Sequence, residues 1–241
     1  MVRYQIIIAY DGTRFSGSQR QASSPTVQDE LEKSLRKINW QGSSVIMAGR
    51  TDAGVHAKGQ VAAFDLDWNH SLQDLQNSLN ANLPFDISVN KVDQVIDGFH
   101  PRFDAKWRLY RYKIYSQPVR DPLRERFSWR VWPAPGFSKS IAESLLGTHD
   151  FAAFGSPPRT GGSTTRTVFD ANWTQHEDES YFEIKADAFL YHMVRRIVFA
   201  QLAVDQGKIS GKDFARALEG SLDLPSGLAP PNGLTLLEVG Y

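Results

Sequence analysis

Val45-Ile46-Met47-Ala48-Gly49-Arg50-Thr51-Asp52-Ala53-Gly54-Val55-His56-Ala57 is a polar island between apolar runs. Residues 45–47 lead in, and Val61-Ala62-Ala63-Phe64 lead out. Gly49 and Gly54 bracket it, and glycine permits backbone angles and close approaches that a side chain blocks. The stretch reads as strand, tight connection, strand, over 44–48 and 57–66. Working outward, Ser24-Pro25 offers a helix start. Val27, Leu31, Leu35 and Ile38 then recur on one helical face. Before them, residues 3–10 form an Ile- and Tyr-rich strand that Asp11-Gly12 turns. Downstream, Ser71-x-x-Asp74 resembles a capping box opening a helix to Asn82, with Leu72, Leu75 and Leu79 inward. Pro84 closes it, and 87–95 alternates as a strand. The order strand, helix, strand, strand, helix, strand is ferredoxin-like: an α+β class with helices on one face of an antiparallel sheet.

The second half repeats the pattern with larger insertions. Residues 106–115 alternate as a strand whose faces both carry charged and aromatic groups. Residues 118–135 are irregular, basic and aromatic. A helix capped at Ser138 runs to Leu146 and ends at Gly147. The Gly/Pro-rich 155–163 stretch reads as a mobile loop. Strands at 165–175 and 181–188 follow, and 188–198 opens a helix to about Ala203. A short helix starts at Ser210-x-x-Asp213, and 235–241 returns as the closing strand. The boundary is placed near residue 105, giving halves at 1–104 and 105–241.

With 241 residues, 41% apolar and 22% charged, the chain supports a substantial folded core. It has no cysteine, so disulfides, thiolate nucleophiles and cysteine metal sites are excluded. No segment approaches a membrane span, and the N-terminal apolar run is too short for a signal peptide. A soluble, cytoplasmic protein is expected. The 27 basic and 27 acidic residues cancel, which argues against a generic nucleic-acid coat but not against a local basic groove. Residues 99–130 hold nine Lys or Arg against three Asp or Glu. The six histidines show no metal-ligand spacing.

Loops held between rigid elements often carry sites. Asp52 serves either chemistry or an Asx turn that satisfies nearby backbone donors. The loop 13–21, with Arg14, Gln19 and Arg20, suits phosphate or base contact, or simple solvation. Tyrosines beside arginines in 108–115 suit base stacking with phosphate contact, or ordinary packing. Arg195 and Arg196 lie in the early turns of their helix, where cations oppose the helix dipole and an acidic or phosphate partner is expected.

Several separated motifs, in order, resemble the TruA family of transfer-RNA pseudouridine synthases. The most specific is Gly49-Arg50-Thr51-Asp52-Ala53-Gly54-Val55-His56. Others are Asn80-Ala81-Asn82-Leu83-Pro84, Phe99-His100-Pro101-Arg102-Phe103, Arg108-Leu109-Tyr110-Arg111-Tyr112 and 189–198. The resemblance implies two ferredoxin-like halves merged into one curved sheet around a central RNA-binding cleft, in a homodimer. It implies isomerisation of uridine in the anticodon stem-loop of transfer RNA, typically at positions 38, 39 and 40, with no cofactor or metal. Asp52 would be the essential aspartate, Tyr110 would stack on the target base, and Arg195 would pair with Asp52. Arg50 would help hold the flipped nucleotide. Arg14, Gln19, Arg20, His56 and His192 complete the candidate RNA contacts. The chain departs from the family where Gly-Trp-Gln-Arg-Gln reads Gly17-Ser18-Gln19-Arg20-Gln21, and where Phe199 and Ala200 follow Val198. The rival functions are a non-catalytic RNA-binding protein and a cofactor-free glycoside or nucleoside hydrolase.

Overall fold

The structure is a computed structural model that describes residues 1–22, 24–157 and 160–241. The chain forms two compact units: Met1–Lys106 with Thr235–Tyr241, and Trp107–Leu234. Strands and helices are both present in each, as an α+β class requires.

The first unit contains β1 (Val2–Tyr10), α1 (Val27–Arg36), β2 (Ile46–Met47), β3 (His56–Leu66), α2 (Leu72–Asn82) and β4 (Ile87–Gln94). Its sheet places β4 beside β1, β1 beside β3, and β2 on β3, all antiparallel. Tyr4, Ile6, Ile8 and Tyr10 are the buried alternate residues of β1. Val27, Leu31 and Leu35 of α1, with Leu75 and Leu79 of α2, are fully buried. Each such side chain contributes roughly 1.5–3 kcal/mol on leaving water. The two helices are joined where Ser34 Oγ donates to Leu79 O (3.0 Å). The capping box expected at Ser71 and Asp74 is present. The start of α1 differs: Thr26, not Ser24, is the cap, and its buried hydroxyl accepts from Asp29 N. The strand expected over 44–48 shortens to two residues. Val45 N instead donates to the buried Glu32 carboxylate (3.1 Å), which takes that backbone out of the ladder.

The second unit contains β5 (Trp107–Tyr115), β6 (Trp129–Arg130), α3 (Lys139–Glu143), β7 (Gly147–Asp150), β8 (Thr165–His176), β9 (Glu179–Ala186), α4 (Met193–Asp205) and α5 (Gly211–Leu218). Its sheet runs β5-β9-β8-β7, antiparallel, with β6 parallel to β5. Tyr112, Ile114, Phe182, Ile184 and Ala186 are fully buried. The helix expected to reach Leu146 spans only five residues, because Gly147 (φ 97) turns the chain into β7. The helix expected from 188 begins at Met193. His192 holds a left-handed backbone (φ 65), and Tyr191 bridges to Ser156 instead. Part of the 155–163 expectation falls on Pro158 and Arg159, outside the described residues.

The last strand, β10 (Leu234–Gly240), belongs from Thr235 onward to the first unit. It runs parallel to β3, pairing Thr235 with His56 and Leu236 with Ala57. The first sheet is therefore mixed rather than antiparallel. A parallel neighbour needs a long connection, and residues 107–234 supply it in the chain. No helix among the described residues is long and apolar enough to cross a membrane.

Candidate functional site

The polar island is the connection from β2 to β3, and neutral hydrogen bonds clamp it. Thr51 is 7% exposed. Its hydroxyl shares a 2.8 Å bond with Tyr10 OH, and its N–H donates to Ser18 Oγ (2.9 Å). Ser18 N donates back to Thr51 O (3.1 Å), and Gln60 Nε2 donates to Gly49 O (2.9 Å). Val55 N donates to Asp52 O (3.2 Å), closing a turn that Gly54 completes at φ 78. Gly49, the other bracketing glycine, has neither a positive φ nor a close neighbour. At Gly12, by contrast, a Cβ would sit 2.0 Å from Val55 O, so that turn and the island touch backbone to backbone. Asp52 is half-buried on this fixed loop, and Arg50 is exposed two residues before it. Burial pushes the Tyr10 phenol up, against the lowering effect of its bonds to Thr51, Gln60 and Ser18. It stays a neutral clamp.

The other first-unit candidates separate into two places. His56 is 4% exposed, and its Nδ1 accepts from Gly12 N (3.0 Å), beside Asp11 Oδ1 at 3.2 Å. It braces the turn from inside rather than presenting its ring to solvent. Arg14 pairs with the buried Asp86 carboxylate (2.5 Å) and lies over the exposed Phe85 ring. Arg20 pairs with the buried Glu32 (2.7 Å). Gln19 and Arg50 line a cavity of about 240 Å³, together with His100, Arg102 and Phe103.

In the second unit, Tyr110 is 9% exposed and meets Phe189 edge-on, with centroids 5.0 Å apart. Arg195 on α4 is buried, and its Nε donates to Ala229 O (2.8 Å). Its positive charge offsets part of the rise that burial imposes on the Tyr112 phenol. His192 is exposed at the start of α4. Four basic residues of the stretch have acidic partners within the second unit. Arg111 pairs with Glu183, Lys113 with Glu179, Arg120 with Glu125, and Arg124 with Asp178 and Glu179. Arg108 and Arg130 donate to backbone carbonyls. Glu183, Glu179 and Asp178, from outside the stretch, therefore offset part of the local excess of positives counted along the chain.

Sequence reasoning missed the clamp, in which Tyr10 and Ser18 lie far from Thr51 in the chain, and it gave His100 and Phe103 no role. The signal for the latter was an aromatic pair beside an arginine in a Pro-containing connection. Among the described residues, no group of three or more His, Asp or Glu is placed to hold a metal ion.

Comparison with known proteins gives one consistent result. A family model described as tRNA pseudouridine synthase matches residues 6–104 and 141–241. The chain is 37% identical over 244 residues to a tRNA pseudouridine synthase A of Thermoanaerobacter sp. (strain X514), covering 100% of both chains. It is 38% identical over 245 residues to that of Geobacter sp. (strain M21), covering 100% of this chain and 99% of the relative. With that of Chloroflexus aurantiacus (strain ATCC 29366 / DSM 635 / J-10-fl) it shares 40% over 247 residues, covering 98% of this chain and 87% of the relative.

Proposed function

The chain belongs to the tRNA pseudouridine synthase family, and from that premise we propose that it isomerises uridine in the anticodon stem-loop of transfer RNA, typically at positions 38, 39 and 40, with Asp52 as the essential carboxylate. The observation that carries this reading is the contrast within the island. Thr51 is buried and bonded on three sides, while Asp52 beside it is only half-buried. A carboxylate on a preorganised loop is what a reaction at one base requires.

The reaction breaks N1–C1′, forms C5–C1′, and transfers the C5 hydrogen to solvent while N1 gains a proton. Nothing is oxidised and no group is imported. A carboxylate serves it either as a nucleophile on a sugar or base carbon, or as a base while the cleaved sugar is cationic. The target base leaves the helical stack to reach it. By family resemblance, Tyr110 supplies the ring against that base and Arg195 the counter-charge paired with Asp52. Arg50 holds the flipped nucleotide, with Gln19 on the same surface. His56 acts indirectly, through the Asp11-Gly12 turn. We further propose a homodimer, checked by light scattering across protein concentrations.

The test is tritium release from transfer RNA labelled at uridine C5. The parent releases tritium and retains the base on its ribose. Asp52→Asn keeps the shape but removes the charge, so folding and RNA binding persist and release falls below detection. Parent-rate release by folded Asp52→Asn would falsify the assignment. Free base in the product would favour a hydrolase, and binding without release a non-catalytic RNA protein.

A further inference from the structure

We propose that the cavity beside Arg50 is a second nucleotide subsite, which takes one unstacked base of the RNA, laid on the Phe103 ring, other than the uridine that reacts. This rests on the reading above that the substrate is transfer RNA. Asp52 does not line the cavity, although Arg50 two residues away does. A base held there is therefore not at the reactive carboxylate.

The size fits one base. About 240 Å³ is the liquid volume of about eight waters at roughly 30 Å³ each. That admits a flat heterocycle and leaves its sugar and phosphate at the mouth. The floor is rigid. Gln28 Nε2 donates to Glu32 Oε1 (2.8 Å), Ser44 Oγ (2.9 Å) and Val45 O (3.3 Å), and Gln28 Oε1 accepts from Arg20 N (3.0 Å). Gln28, Glu32 and Val45 are buried, so the 18–20 and 44–47 walls are both tied to α1.

The remaining wall is an aromatic plate. His100 Nδ1 accepts from Arg102 N and Phe103 N (both 3.2 Å), and Asp104 Oδ2 accepts from His100 N (2.8 Å). Tyr241 OH donates to Pro101 O (2.8 Å), which anchors the turn to the chain end. These bonds stack Phe103 on the His100 imidazole at 4.2 Å and 27°, yet Phe103 remains 73% exposed. A phenyl ring held in water, with one face backed by imidazole, is a stacking platform for a base. Arg50 and Arg102 flank it with guanidinium groups suited to the adjoining phosphates. The site selects an RNA with an unpaired nucleotide at a fixed offset from the target uridine.

The test is a cycle between protein and RNA. Filter binding and kcat/KM are measured on intact transfer RNA transcripts and on transcripts with one abasic site, moved through every non-target position of the anticodon arm. Phe103→Ala weakens binding of intact RNA about tenfold, the loss of one stacked base, with parent-like thermal unfolding. For the parent, one abasic position gives the same loss, and on that RNA Phe103→Ala adds nothing. Phe103→Trp retains affinity. Arg102→Ala lowers the salt slope by about one, which Phe103→Ala leaves unchanged. Unchanged binding by folded Phe103→Ala, or losses that add at every abasic position, overturn the subsite. A parent that binds RNA but releases no tritium overturns the proposed reaction instead, and the binding cycle still decides the subsite. A parent that binds no transfer RNA overturns both.

Discussion

The island at 48–55 and the segment at 116–130 are both polar, arginine-bearing connections, but opposite physics holds them. Buried neutral groups fix the island: Thr51, Tyr10, Ser18 and Gln60, with His56 bracing the neighbouring turn. Ion pairs hold the other segment, together with Asn232 Nδ2, which donates to Glu125 O and Ser128 O. Arg124 reaches Asp178 (2.6 Å) and Glu179 (2.8 Å) and lies 4.6 Å over the Tyr115 ring, while Arg120 pairs with Glu125. The hydroxyl and amide bonds of Thr51, Tyr10, Ser18 and Gln60 hold position without adding charge, and salt does not screen them as it does ion pairs. Ion pairs are released by acid and screened by salt, less so where they are part-buried, as at Arg124. A loop proposed to place one carboxylate accurately is served by the first kind. The second kind ties down a long connection and, in doing so, neutralises basic residues that the chain order presents as a patch.

That comparison can be broken most strongly at the backbone contact beneath the island. Gly12→Ala puts a Cβ 2.0 Å from Val55 O. It should cost about 3 kcal/mol in urea unfolding, near the top of the range for overpacking, and turnover should fall as the 52–55 turn shifts. Thr51→Val keeps the shape but deprives Tyr10 OH of its 2.8 Å partner, leaving Gln60 Nε2 at 3.5 Å. A loss of about 1–3 kcal/mol is expected, equal at low and high salt, and a salt-dependent loss would contradict the neutral clamp. Ser18→Trp removes the acceptor for Thr51 N and places an indole at the cavity that Ser18 lines. Lost bonding and added apolar contact oppose each other, so stability should fall by only about 1 kcal/mol. Transfer RNA binding should weaken because the cavity is filled, and turnover at saturation should change little.

The ion-held segment should respond less, and conditionally. Arg124→Met should speed amide exchange across 116–130 at low salt, with the difference shrinking towards 1 M salt. The smallest effect concerns acid. The Arg124 guanidinium is the chief cause holding the Asp178 carboxyl down at about 2. Its unfolded value is about 3.9. A depressed carboxyl contributes fully above the unfolded value, and that contribution is lost as pH falls through the folded one. Amide protection at 116–130, corrected for the intrinsic exchange rate at each pH, should fall between about pH 4 and 2 in the parent, and Asp178→Asn should lack that step.

Periodicity and capping made much of the fold legible. The alternation of Tyr4, Ile6, Ile8 and Tyr10, the Ser71/Asp74 box and the Ser210 cap are each settled within a few residues of chain, and all are present. The β8–β9 hairpin and the βαββαβ order of the first unit were legible for the same reason. The position of Asp52 on a tight connection between strands follows from glycines and flanking apolar runs alone. What holds that connection does not, because a polar side chain declares its bonding capacity and not its partner. Thr51 meets Tyr10 and Ser18 across 41 and 33 residues.

Only tertiary structure decided that His56 faces inward to Gly12, and that β10 lies parallel to β3. Only it set α4 to begin after a left-handed His192, since that start depends on Tyr191 bridging to Ser156. The counter-charges are the clearest case. Asp178, Glu179 and Glu183 lie more than fifty residues along the chain from the arginines they pair with. By itself the sequence determined the local periods, the caps and the place of Asp52 on one tight connection, because those interactions span a turn or two of chain. Partners, burial and net field were decided by the fold, because they depend on which distant strands lie side by side.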